Sequence, residues 1–425
     1  MATVRWLGNA AAVAQVDTLT VGGTIEADDV FKLTINGKTL SVVAGSTVAA
    51  TVATTIAAAW NALTAADGWA EFAEITAAAT SGGALTLTAD TKGKPFTCTV
   101  STTETGGGAA DAQTFGTAAT IANSGPNDWS TATNWSGGAV PVDADDVIVE
   151  DSTIDILYGL DQSSIQPASL TIRRSFTGKI GLPNRNSGGY EEYREKYLKI
   201  GPTTLSVGAG DAGGGSSRLK INTGADQTAV TVHHTASPAD TNSHAFVWKG
   251  THAANTLTVK SGSVAVAPYA GETATIATLN VGYVNNVAGD SNVYLGTGCT
   301  LTTITQTGGK LVAQNNATTI NLLDGELSMR GAATITTLNI DGGALYDESS
   351  GTFTTMNVGS GGGYDASRLL AAKTITTTNL RAGAMLRDPN AKVTFTNGVV
   401  LSRCSIGELK NGTIDFGPNR TLTPS

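Results

Sequence analysis

The sequence predicts a mainly β fold: a parallel β-helix solenoid with a small α+β module inserted near its N-terminus. Three observations carry this expectation. The first is repetition between Thr275 and Gly383. TLNVG (278–282), TINLLDG (319–325), TLNIDGG (337–343), TMNVGSG (355–361) and TTNLRAG (377–383) restate one pattern: Thr, a usually apolar residue, Asn, an apolar residue, then a turn with Gly. Ile320, Leu338 and Met356 follow one another at 18 residues, Leu279 to Ile304 takes 25 and Ile304 to Ile320 takes 16, so the period is about 18 with loop insertions. Self-similarity at this spacing marks stacked repeats. The second is the alternation of apolar and polar residues, as in Leu338, Asn339 and Ile340, among many Thr, Val and Ile. Period 2 and β-branched side chains select strands over helices. The third is a change of texture over residues 10–122, where a hairpin signal and a helical pattern sit together.

Stacking the repeats places Leu338, Met356 and their equivalents inside. It also lines Asn280, Asn321, Asn339, Asn357 and Asn379 along one face as a ladder. Composition agrees with a Thr/Ala/Gly-rich β scaffold: 425 residues, 14% charged, 6% aromatic and 51 Gly. A 40% hydrophobic content with low charge is not that of a disordered chain. The net charge of −9 argues against nucleic acid as a partner. Cys98, Cys299 and Cys404 are far apart and odd in number, which predicts neither a disulfide framework nor a metal-binding pair. The start MATVRWLGNA shows no signal-peptide pattern and no apolar run reaches 18 residues, so folding in a reducing cytoplasm and no membrane partner are expected.

In chain order, residues 1–9 (TVRWLG) read as the first strand of the solenoid cap, carrying Trp6. Within residues 10–122, VDTLTV is a strand, and DVFKLTI and KTLSVV flank Asn36-Gly37, a strong hairpin signal. Phe31, Leu33 and Ile35 share one face. Residues 47–63 read as a helix, because Val48, Val52, Ile56, Trp60 and Leu63 recur at helical spacing behind Ser46 as N-cap. EFAEITAAA, ALTLTAD and PFTCTVSTT complete the sheet, with Gly106–Gln113 and Ile121–Pro126 as exit loops.

The stretch NDWSTATNWSGGAVPVDADDVIVEDS (127–152) combines Trp129, Trp135, Gly137-Gly138, Pro141, Asp145-Asp146 and VIV. It resembles the opening segment of many β-helical surface and bacteriophage proteins, in which a first Trp-bearing strand leads directly into such an element. Here 120 residues separate the two parts, so residues 10–122 are expected to be an insertion into the cap of a β-helix spanning 123–425. Two consecutive domains, with Trp6 packing locally, is the competing reading.

From 152 to 250 the strands continue with longer loops, and the Gly-rich stretch 208–217 lacks the Lys and following helix of a phosphate loop. GGYEEYREKYLKIG (188–201) packs three Tyr and five charges into eight residues. As a projecting loop it offers Tyr190, Tyr193, Arg194 and Tyr197 as partner contacts, since Tyr and Arg favour interfaces; a solvated loop on its own scaffold is the alternative. No catalytic, cofactor or metal residues are expected. His233, His234, His244 and His252 cluster, with His234 and His252 18 residues apart, but no further ligand types lie beside them. The run Asp143, Asp145, Asp146, Glu150 and Asp151 suits turns and caps, as do Asp324 and Asp341 beside Gly, and a glycosidase would need two carboxylates across a cleft.

The whole chain, most specifically residues 16–36 and WSTATNWSGGAVP, resembles structural proteins of tailed bacteriophages. The resemblance implies a non-enzymatic virion protein assembled in the host cytoplasm, with the major capsid protein, other virion proteins or a second copy of itself as partners. Capsid decoration is the expected role. A tail fibre or spike, or an adhesin binding host-surface glycans, is the alternative.

Overall fold

The computed structural model describes residues 2–105, 112–239, 243–282, 291–401 and 414–417. Cys404 and most of the predicted exit loop Gly106–Gln113 lie outside the described residues. The chain is mainly β, with 47% strand and 6% helix, and a large parallel sheet dominates it. Hydrogen-bonding direction separates two parts. Among the described strands between Val16 and Ile121 every ladder is antiparallel. All the other ladders are parallel.

In the large sheet, strands pair with partners two elements away. Ser169–Arg173, Thr204–Ala209, Ala229–Val232, Thr256–Val259 and Ala274–Val281 form one ladder. Leu198–Lys199, Leu219–Asn222, Phe246–Lys249, Gly262–Val266 and Ser291–Leu295 form an interleaved one. Both ladders join the long strand Cys299–Ala313. Beyond it, Ala317–Met329, Ile335–Asp347 and Phe353–Asp365 each carry both segments, with register shifts near their glycines. At Gly325 φ is 96°, and a Cβ would sit 2.6 Å from the Gly309 carbonyl of the previous repeat, so only Gly lets the chain bend there. Among the described residues, Thr3–Arg5 pairs only with Asp146–Val149 and Ile414–Asp415 only with Met385–Arg387, so the sheet is not closed.

Register turns the repeats into columns. Leu205, Val230, Leu257, Leu279, Ile304, Ile320, Leu338 and Met356 stand opposite one another, each at most 1% exposed. The next residue in this column is Thr378, fully buried, with no hydrogen-bond partner for its hydroxyl among the described residues. Val358 and Ile340 continue a second column in which Gln306 replaces an aliphatic residue. Its amide donates to the carbonyls of Gly309 and Glu326, both at 3.0 Å. On the outer face, Asn379, Asn357 and Asn339 each donate to the Asn one repeat earlier at 2.8 Å, ending at Asn321. Asn280 is not part of this ladder. Thr305 stands between it and Asn321 in register, and the Asn280 amide bonds Thr258 instead.

The 16–121 segment has its own core, around Leu19, Phe31, Leu33, Val52, Ile56, Trp60 and Phe72. Asn36 and Gly37 adopt positive φ (53° and 74°) in the hairpin joining Val30–Ile35 to Lys38–Val43. The helix spans Ala49–Asn61 and buries Val52, Ile56 and Trp60, while Val48 is exposed. Ser46 is not its N-cap: that position falls on Val48 without a side-chain bond, and the Ser46 hydroxyl accepts the Val48 N–H two residues early.

The residues flanking this segment meet in the other core. Trp6 packs edge-on to Trp135 at 5.1 Å and Trp129 to Trp135 at 4.5 Å, all three at most 2% exposed. Asn134 is fully buried and ties both connections: its Oδ1 accepts the Ala10 N–H at 2.7 Å, and its Nδ2 donates to the Gly125 carbonyl at 2.8 Å.

Candidate functional site

The loop expected to project does not project. It lies along the 16–121 segment and joins the two parts of the molecule. Tyr190 (6% exposed) donates its hydroxyl to Glu74 at 2.8 Å. Arg194 reaches Glu74 at 3.3 Å and Glu192 at 2.9 Å, and its Nε donates to the Pro95 carbonyl. The guanidinium also lies 4.5 Å over the Tyr193 ring, which packs against the core of the segment. From the other side Asn36 donates to the Glu191 carbonyl at 3.1 Å and Lys94 pairs with Glu74 at 2.6 Å. The physical reason is charge matching: Glu74 collects Arg194, Lys94 and the Tyr190 hydroxyl in one partly buried spot. Burial opposes charge on Glu192, yet the Asn186 hydrogen bond and Arg194 together hold its carboxyl below its ordinary value.

Tyr197, 3% exposed, does not face the segment. It covers Val247 and Ala265, with the Lys249 ammonium 4.2 Å over its ring and Lys249 paired to Glu272 at 2.9 Å. Nearby, burial and the charges of Lys196 and Arg218 push Lys220 down to about 8 while it donates to Asn184 at 2.7 Å.

The histidines do not form one group. The strands Ala229–Val232 and Thr256–Val259 are paired in register, His234 follows the first and His252 precedes the second, so these two sit at opposite ends. His244 stacks on Tyr294 and contacts Ser263 at 3.2 Å. The acidic run makes local bonds: Asp143 accepts the Gln166 N–H, Asp145 those of Ala2 and Val142, and Asp146 the Ser169 hydroxyl. Glu150 pairs with Arg5 and Arg173, and the Asp151 N–H donates to Ser175. Asp324 and Asp341 are exposed beside their glycines.

A groove of about 530 Å³ crosses the starts of Thr204–Ala209, Ala229–Val232 and Thr256–Val259. Its lining mixes polar side chains, among them Gln166, Asp226 and Gln227, with Ala229 and Ala254, and Gln166 is bonded to Asp226.

Two groups went unnoticed in the sequence. The carboxylates of Glu26, Asp28 and Glu104 lie within 4.8 Å of one another on the 16–121 segment. The second is buried: Asp347 and Lys373 are fully buried and 2.7 Å apart, with Tyr364 and Ser349 hydrogen-bonded to the same carboxylate. Its signal was present in the repeat alignment, where Asp347 takes the place of Met329 and Tyr364 that of Leu345.

Neither a family model, nor a curated protein, nor a solved structure matches this chain.

Proposed function

We propose that the chain is a parallel β-helix rod with an inserted α+β module, and that it serves as a non-enzymatic structural protein of a tailed-phage virion, decorating the capsid. The observation that carries the reading is the unbroken column register. The same inward and outward positions recur from Ser169 through Leu380, so each repeat advances the chain by one strand spacing. Two interleaved ladders, fused into bent strands after Cys299, are what a solenoid of short strands and corners produces. Such a rod is stiff along its axis and presents long faces of Thr, Asn and Gly. Decoration works by summed contact over such faces, so particle stability follows mass action and needs no reaction centre. The resemblance of residues 16–36 and WSTATNWSGGAVP to tailed-phage structural proteins supplies the biological setting. The major capsid protein, or a second copy of this chain, is the partner class. With the loop 188–201 occupied within the chain, docking falls to the rod faces and the outer surface of the module.

One observation favours the fibre or spike reading: the groove around Gln166, Asp226 and Gln227 offers planar hydrogen-bonding groups suited to sugar hydroxyls. The test uses purified protein twice, with undecorated heads and with host cells. Saturable binding to heads, with heads then resisting heat or chelator, is the expected result. Saturable binding to cells alone, abolished by Gln227→Ala, would overturn decoration in favour of glycan attachment.

A further inference from the structure

Near the C-terminal end of the large sheet, three successive strands bring together a lysine, an aspartate, a tyrosine and a serine. Asp347 ends Ile335–Asp347, Tyr364 lies near the end of Phe353–Asp365, and Lys373 opens Lys373–Leu380. Asp347 and Tyr364 show no exposure, Ser349 only 1% and Lys373 3%, with the Lys373 side chain itself fully covered. Lys373 Nζ lies 2.7 Å from Asp347 Oδ2, 2.6 Å from Ser349 Oγ and 3.3 Å from the centre of the Phe353 ring. The Tyr364 hydroxyl donates to the same Asp347 Oδ2 at 2.9 Å, and the Ser349 hydroxyl and N–H donate to Oδ1 at 2.6 and 2.9 Å. A surface ion pair would have water around it; this one has an aromatic ring and aliphatic columns.

We propose that Lys373 and Asp347 are a self-modification site, joining spontaneously through an isopeptide bond between Nζ and Cγ. The proton inventory balances without any co-reactant. One ammonium proton passes to Asp347 Oδ2, leaving a neutral amine beside a neutral carboxylic acid. The Nζ lone pair attacks Cγ and forms a C–N bond. The electrons of the C=O bond move to Oδ1, where the Ser349 hydroxyl and N–H receive the negative charge, the role of an oxyanion hole. Nζ then loses a second proton to Oδ2, which it already contacts directly at 2.7 Å. The C–Oδ2 bond breaks, Oδ1 re-forms the carbonyl, and one water leaves.

Geometry favours the reaction in two ways. The amine and carboxyl are held in contact by the strand register, so the encounter is already made. The dry surroundings disfavour the charged pair relative to the neutral one, consistent with burial drawing Lys373 below its ordinary value against the pull of Asp347. The opposing feature is the donor set on the carboxylate, which also stabilises the unreacted ion pair. The bond would tie Ile335–Asp347 to Lys373–Leu380 across the strand between them. It is independent of what the rod attaches to.

Intact mass spectrometry of the purified full-length chain provides the test. The expected mass is that of the sequence less one water. Trypsin does not cleave after an acylated lysine, so digestion should yield a branched peptide joining residues 331–368 to 369–381. Tyr364→Phe, which keeps the ring in its column, should raise the fraction of unlinked chains, and Asp347→Ala should abolish the mass loss. A wild-type chain at its full sequence mass, cleaved after Lys373, would overturn the proposal and leave a buried ion pair only.

Discussion

Leu338 shows how much one residue carries in a column. It has no exposed surface and touches Ile320 and Met356 through the register on either side. Leu338→Ala should cost about 2–5 kcal/mol, because a cavity between two strands has little freedom to collapse. Denaturant unfolding checks this, and a loss within a few tenths of a kcal/mol would mean the column is not packed there. Thr378 is the opposite case. Its hydroxyl is buried with no partner among the described residues, so Thr378→Val should stabilise the chain by about 1 kcal/mol in the same measurement. The sequence showed Leu338 and Met356 as core, because alternation and spacing agree at those positions. It did not show Thr378 as core: Thr is the most frequent residue on the outer positions of this chain, and identity alone does not tell inner from outer.

At the scale of elements, the strands, the hairpin at Asn36-Gly37 and the helix were legible because each has a local cause: alternation, positive φ at two residues, spacing at i+3 and i+4. The loop 188–201 was not. Its Tyr and Arg residues look the same whether they meet another protein or another part of their own chain, and only the fold brings Glu74 to Arg194. The attachment is pH-dependent in a definite sense. Glu192 sits below its ordinary value in the folded chain, so its contribution is present above the unfolded carboxyl value of about 4.3 and is lost as pH falls through the lower folded value. Glu71 has the same sign. Burial opposes its charge, but Lys38, its own backbone and Asn36 outweigh that. Hydrogen exchange across 184–197 should therefore accelerate below about pH 4 before the column strands lose protection. Equal acceleration in both regions would show that the loop is not a separate unit of stability.

For the whole molecule, the two cores and the shared Trp6–Trp135 contact predict that residues 10–122 are dispensable for folding the rest. Joining Gly8 to Asn127 through a short linker should leave a chain with a β-type circular dichroism spectrum and cooperative unfolding. It should also be less soluble, since Tyr193 and its neighbours lose their cover. Replacing Glu192, Tyr193 and Arg194 with Ser in the shortened chain should restore solubility. A shortened chain that unfolds without cooperativity would show that the large sheet needs the segment. The meeting of Trp6 with the distant NWSGG element was readable from the two Trp-bearing stretches. The attachment of loop 188–201 to the segment was not, because it depends on contacts more than a hundred residues apart.

The asparagine ladder has a consequence for fidelity. Aliphatic columns identify their neighbours poorly: if Ile335–Asp347 slipped two residues along Ala317–Met329, Leu338 would move from Ile320 to Leu322 and still find an aliphatic partner. The pleat would be preserved as well, so alternation would not register the error, and the aliphatic columns would feel it only at their edge, where Ile340 would face Asp324. Asn339 would register it, because the same slip sets it opposite Leu323 and breaks an amide bond on each side. The columns hold the strands together, and the ladder carries the information about which alignment is the right one. Its four asparagines act as an alignment code along the stretch where the repeats are most alike and mistakes are easiest to make.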